Sequence, residues 1–219
     1  MSFCGLKEAP QEMLRRSQTR RKPPRSYHHG NLRRALLDQA LDTIRTEGVE
    51  GLTLREIGAR LGVSRTALYR HFADKRALLA EVATEGFRTL RQQLVKAWED
   101  GGRDRTAFQL MGAAYVEFAV ANPSHYRVMF GGFVNPQSQA ELAAEAAGAF
   151  QALVDALSAL QRAGLLCTDE TALMARFVWA MVHGIAMLGI DGRLHQPGAV
   201  EALQRYAFER MQTGIGAAR

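Results

Sequence analysis

The residues best equipped for chemistry fall in LGVSRTALYRHFADK, Leu61 to Lys75. Arg65 and Arg70 bring guanidinium groups, Lys75 an ammonium, Thr66 a hydroxyl, Tyr69 a phenol and His71 an imidazole. All of these can donate hydrogen bonds. None has a partner at the spacing that acid–base or nucleophilic catalysis requires. So dense a set of donors suits a partner rich in anionic oxygens and acceptor edges, which describes nucleic acid: phosphates fix position and base edges carry sequence.

Catalysis finds no footing elsewhere. The chain lacks a nucleophile elbow, a phosphate-cradling Gly loop, and carboxylates or histidines clustered at ligand spacing. Glu99-Asp100 and Asp169-Glu170 fall at expected helix ends and suit loops and caps. His28-His29 precedes Gly30 without metal-ligand spacing and leads into the first helix. The expectation is a protein that is not an enzyme, with no cofactor and no metal.

Donor tips need a rigid mount, and the flanking residues supply one. Thr53 followed by Glu56 forms a capping box, in which each side chain satisfies the other's free amide. It opens a helix from Leu54 to Leu61 that presents Ile57 and Leu61 on one face. Gly58 is small where a second helix can cross closely, and Gly62 gives the freedom for a sharp turn. Ser64 is a natural N-cap for the next helix. Leu68 and Phe72, four apart, point back toward Ile57, Leu61 and Val63. Two helices locked across a glycine turn make a helix-turn-helix, and the major groove, about 12 Å wide, admits one helix.

On that helix Arg65 and Thr66 occupy the first turn, within reach of base edges. Tyr69, His71 and Lys75 are placed for phosphates, and Arg70 for phosphate or solvent. The plainer alternatives are that Tyr69 packs under the head and that His71 is an ordinary surface residue.

The rest of the chain reads as helices. One runs from Asn31 to Glu47, with Leu32, Ala35, Leu36, Ala40 and Ile44 inward and Gly48 as its stop. Asp74 caps a helix continuing to Asp100, where Gly101-Gly102 breaks it. Further helices are expected over Thr106–Ala121, from Pro123 through HYRVMF, over Ser138–Ala163, from a cap at Thr168 or Asp169 to near Ile190, and over Ala199–Gln212. The fold class is therefore all-α: a three-helix helix-turn-helix head, joined by a long helix to a C-terminal helical bundle that dimerises. The expected divisions are a basic arm at 1–26, a DNA-binding unit at 27–90 with its helix-turn-helix at about 53–72, and a ligand-binding and dimerisation unit at 91–219.

Composition agrees. Of 219 residues, 47% are hydrophobic and only 6 are Pro, enough to bury a core and continue long helices. The formal charge of +6 is uneven: residues 1–76 carry a net +8 and residues 77–219 a net −2. A polyanion-binding head on a neutral body follows. Arg15, Arg16, Arg20, Arg21, Lys22 and Arg25 make the first 26 residues a basic arm, either a solvated tail or a source of nonspecific phosphate contacts. Cys4 and Cys167 show neither metal nor redox spacing, and the polar N-terminus has no secretory core. The longest apolar stretch, Phe177 to Ile190, is too short to span a bilayer and contains His183. The expected location is the cytoplasm, with no membrane.

LTLREIGARLGVSRTALYRHFADKRALL resembles the DNA-binding head of tetracycline-repressor-type (TetR-family) regulators, from about Tyr27 to Phe87. The likeness rests on Thr-Leu-Arg, Leu-Gly-Val-Ser, Ala-Leu-Tyr-x-His-Phe and x-Asp-Lys. It implies DNA contacts from Arg55, Ser64, Arg65, Thr66, Tyr69, His71 and Lys75. FVWAMVHGIAML resembles the Trp-x-x-x-His-Gly motif of one branch of that family. There the penultimate helix joins the last in a four-helix dimer interface, which implies a homodimer on a palindromic double-stranded operator.

Aromatic and Met residues recur at helical spacing in the body, a pattern of ordinary cores that also suits a cage for an apolar or aromatic small molecule. Candidate pocket residues are Met111, Tyr115, Phe118, Phe130, Phe150, Trp179 and His183. His183 reads either as the cavity's polar point or as a satisfied core or interface residue. The expected function is a sequence-specific regulator, a repressor released from DNA by such an effector. The competing reading is an architectural DNA-binding protein acting through its basic arm.

Overall fold

The computed structural model describes residues 32–215. The basic arm, His28-His29, Cys4 and the expected first residue of the opening helix, Asn31, lie outside those residues. Every regular element described is helical: α1 (Leu32–Glu47), α2 (Leu54–Leu61), α3 (Arg65–Tyr69), α4 (Lys75–Asp100), α5 (Arg105–Ala121), α6 (Pro123–Phe130), a 3-10 turn (Pro136–Ser138), α7 (Ala140–Arg162), α8 (Thr171–Ile190) and α9 (Ala199–Ile215).

Local chemistry sets most of these bounds. Ser64, Asp74 and Asp104 accept from backbone amides at the starts of α3, α4 and α5. Gly62 ends α2 at φ 66, the left-handed conformation that glycine adopts without a Cβ penalty. The capping box at α2 differs in its second arm. Thr53 Oγ1 accepts from the Glu56 amide at 3.2 Å, but the Glu56 carboxylate takes the Thr53 hydroxyl at 2.8 Å, not the Thr53 amide. At α8 the expected cap is displaced. Glu170 holds the N-cap position without a side-chain bond, while Thr171 donates to Gln161 Oε1 at 2.6 Å. Gln161 of α7 also donates to the Cys167 and Asp169 carbonyls, at 2.9 Å each, so the residues before the helix are tied to α7.

In the head, Leu36, Ala40, Ile44, Leu52 and Ile57 are fully buried, with Leu68 and Phe72 closing over them. Burying a side chain of this size contributes roughly 1.5–3 kcal/mol. Gly58 does what its size foretells: a Cβ there would stand 2.9 Å from Leu68 Cδ1. The start of α4 completes the head through Leu78 and Leu79, and its later turns pack against α5, α6 and α7.

The expectation of an apolar stretch limited to Phe177–Ile190 needs correction. The helix begins at Thr171, and by length and composition it is long and apolar enough to cross a membrane. Met174, Val178, Val182 and Ile185 face the core, against α5, α7 and α9. The opposite face leaves Leu173, Phe177 and Leu188 exposed, so the helix is buried on one side and not on all.

Candidate functional site

The short α3 is held in two ways, by the head core and by α1. Leu68 and Phe72 anchor it to the head core. From α1, Arg33 donates to the His71 carbonyl at 3.4 Å, reaches Glu81 Oε2 on α4 at 2.8 Å, and lays its guanidinium over the Phe72 ring, 4.9 Å from the centroid. Beside it, Arg34 forks onto both carboxylate oxygens of Glu85, at 2.9 and 2.8 Å. These exposed pairs contribute little individually, but they fix α3 and the start of α4 as one body. Sequence reading did not find Arg33, because its partners are 38 and 48 residues away.

Bracing inward leaves the donor face outward. Arg55, Ser64, Arg65, Thr66, Tyr69 and Arg70 are exposed and His71 is half-buried. The Arg65 guanidinium lies over the Tyr69 ring, 5.5 Å from its centroid. Ser64 Oγ accepts from the Ala67 amide at 3.2 Å, leaving its proton free to donate. Lys75 turns inward: its Nζ donates to the carbonyls of Val49 at 2.7 Å and Glu50 at 3.3 Å. One of its three protons stays available. Five of the seven named residues, Arg55, Ser64, Arg65, Thr66 and Tyr69, are thus exposed, His71 is half-buried, and Lys75 staples the α1–α2 turn to α4.

The body holds a partly open cavity of about 290 Å³. α4 lends Phe87 and Leu94, α5 Met111 and Tyr115, α6 Met129 and Phe130, α7 Phe150, α8 Trp179 and α9 Phe208. Five of the seven expected pocket residues, Met111, Tyr115, Phe130, Phe150 and Trp179, are therefore on the wall. Phe118 is not; about one turn farther along α5, it is buried in the packed core. His183 stands behind the wall as part of a polar chain. Trp179 Nε1 donates to Tyr115 Oη at 3.1 Å, Tyr115 Oη lies 2.9 Å from Tyr126 Oη, and Tyr126 Oη lies 2.6 Å from His183 Nδ1. Burial raises the Tyr115 phenol to about 12, pushes the Tyr126 phenol up and pulls the His183 imidazole below its ordinary value. All three are uncharged at neutral pH. Tyr126 gave no sign in sequence beyond its place in an aromatic run.

α6 touches both regions. Met129 and Phe130 are on the cavity wall, while Ser124 Oγ donates to the Leu41 carbonyl of α1 at 3.1 Å. His125 Nε2 lies 3.5 Å from Glu85 Oε1, the carboxylate that Arg34 holds. Gly86 allows the close approach of α4, since a Cβ there would stand 2.5 Å from Met129 Sδ. On the far side of α4, Arg88 bridges to Glu141 at 2.7 Å and Glu145 at 3.0 Å on α7.

The family model described as bacterial regulatory proteins, tetR family, matches residues 36–82, and the one described as tetracyclin repressor-like, C-terminal domain, matches residues 108–211. An uncharacterized HTH-type transcriptional regulator, YobS of Bacillus subtilis, is 30% identical over 97 residues, 44% of this chain and 50% of that protein. The chain spans half or less of the length of the curated relatives it matches. A solved protein of unknown function from Rhodococcus sp. RHA1 superposes with a TM-score of 0.77 at 32% identity, covering 87% of this chain and 98% of that one. A tetR-family regulatory protein from Rhodococcus RHA1 shares the fold with a TM-score of 0.66 at 22% identity, over 85% of this chain and 98% of that one. With one model on the braced head and the other on the cavity-bearing body, the chain belongs to the TetR family of bacterial regulatory proteins.

Proposed function

We propose that the protein is a homodimeric, cytoplasmic transcriptional regulator that binds a palindromic operator through α3 and is a repressor released by a small apolar or aromatic effector. The observation that carries this is the two-sidedness of α3: Leu68 and Phe72 buried, Arg65, Thr66, Tyr69 and Arg70 exposed. A helix so braced presents its first turn to the major groove. Arg65 and Thr66 read base edges, and Tyr69, His71 and the remaining Lys75 proton hold phosphates. The outer face of α8, with Leu173, Phe177 and Leu188, and Tyr206 on α9 supply an apolar surface for a second copy. A Cβ at Gly184 would meet nothing within 4 Å, which leaves room for a partner helix.

Effector and DNA communicate through helices that belong to both regions. α4 carries Leu78 in the head core and Phe87 and Leu94 on the cavity wall, and α6 carries the wall to Leu41. Differential binding of ~1–3 kcal/mol between two head spacings changes operator affinity roughly 5–150-fold.

Selection of duplexes from a random pool by the full chain tests the reading. A palindromic consensus is expected, retained by a chain lacking residues 1–26. Sequence preference that disappears with the arm would replace the α3 reading by an architectural one.

A further inference from the structure

Among the described residues the hydrogen bonding of the cavity's polar wall has a direction, and the direction restricts what can bind. We infer that the cavity takes a compact, uncharged, largely apolar molecule bearing one hydrogen-bond donor, a phenolic or alcoholic hydroxyl, which donates to Tyr115 Oη. The inference rests on the cavity being the ligand site proposed above.

Charge is excluded first. Among the described residues Tyr115 and Trp179 bring the only polar side-chain atoms on the wall, and none of those residues sets a carboxylate, guanidinium, ammonium or imidazole there. A carboxylate or ammonium set against this apolar wall would lose much of its hydration with no opposite charge from the described residues in return, which costs free energy. Size follows: about 290 Å³ stands at the small end of ligand cavities.

Proton accounting supplies the polar preference. Indole Nε1 can only donate, so Tyr115 Oη must accept from Trp179. At the other end, the 2.6 Å separation of Tyr126 Oη and His183 Nδ1 is shorter than the usual range for an N–H donor and fits an O–H donor. A phenol is also a stronger acid than a neutral imidazole N–H, so Tyr126 donates to Nδ1. Tyr126 then has lone pairs, and no proton, to offer Tyr115 at 2.9 Å. Tyr115 Oη also lies 3.3 Å from His183 Nδ1, which as an acceptor has no proton to offer it. The Tyr115 proton therefore points inward, to Tyr126 and that nitrogen, and one of its two lone pairs is committed to Trp179. What remains is a single lone pair, an acceptor. An ether or ketone would set oxygen against oxygen, whereas a hydroxyl completes the chain.

The test uses four size-matched probes and a hydrocarbon, titrated calorimetrically into the full chain without DNA at neutral pH: 4-propylphenol, 4-propylanisole, 4-propylbenzoate, 4-propylbenzylamine and propylbenzene. The phenol is expected to bind roughly 3- to 10-fold more tightly than the anisole, with no binding of the benzoate or the amine. Tyr115→Phe is expected to bring phenol and anisole within about twofold of each other while retaining propylbenzene binding. Equal affinity of the wild type for phenol and anisole, a preference for either ion, or no binding of any probe overturns the inference, and these readouts need no variant. Duplex release by the phenol is measured separately. Its failure would count against the regulatory role of the cavity, while the phenol-to-anisole ratio alone decides the polar preference.

Discussion

Tyr126 Oη stands 2.6 Å from His183 Nδ1, joining α6 to α8 behind the cavity wall. The bond ties the helix that meets the head to the helix whose outer face is apolar. Tyr126→Phe removes the hydroxyl that pairs with both Tyr115 Oη and His183 Nδ1, leaving between those two atoms only their longer 3.3 Å contact. The expected loss is about 1–3 kcal/mol, seen as a lower midpoint of urea unfolding with an unchanged slope. A midpoint equal to wild type would mean that the hydroxyl contributes nothing net.

Arg65→Ala separates base reading from phosphate holding. Loss of a bidentate base contact costs roughly 1–3 kcal/mol on the preferred duplex, or 5- to 150-fold, and much less on random duplex. Fluorescence anisotropy at one fixed salt concentration measures both. Equal losses on the two duplexes would reduce Arg65 to a phosphate contact.

Phe177 is 55% exposed in the middle of the apolar face of α8. Phe177→Lys is expected to convert the dimer to monomers in sedimentation equilibrium while preserving the helical circular dichroism spectrum. On the proposed palindromic operator, where two heads bind together, duplex affinity should fall more than tenfold with it. A variant that remains dimeric places the interface on another surface.

Stability should decline on mild acidification. Burial lowers His125 and His183 below the ordinary value of 6.5, and for His125 it outweighs the opposing pull of Glu85. The folded state therefore takes up protons less readily than the unfolded one. Stability is fully present above about pH 6.5 and is lost as pH falls through the lower folded values. Melting temperatures between about pH 7.5 and 5.5 should drop for the wild type and drop less for His125→Gln. Identical slopes for the two would assign the effect to other groups.

Much of the head was legible because its determinants are local. Ser64, Gly62, Gly58 and the Leu68–Phe72 pair each act within a few residues of where they stand. Lys75 was harder: nothing near it in sequence points to carbonyls 25 and 26 residues back. In the body, aromatic spacing located Met111 and Tyr115 on the wall, yet the same spacing pointed to Phe118, which is packed away. A helical stripe specifies a face and not how far along that face a void extends. The wall contributions of Phe87 and Phe208 depend on tertiary docking, as does the partnership of Tyr126 with His183. The outer apolar face of α8 shows the converse limit: hydrophobicity marked the helix as covered without saying by what.

α4 has 26 residues in one uninterrupted helix, about 39 Å at 1.5 Å per residue. Near its head end Arg33 and Arg34 join it to α1, and its later turns pack against α5, α6 and α7. A swing of only a few degrees would carry the far end by roughly 2 Å, a large error when two subunits must match a fixed helical repeat. Substitutions on α4 away from the wall residues Phe87, Leu90 and Leu94 should therefore shift the proposed response of operator binding to a ligand without touching either partner.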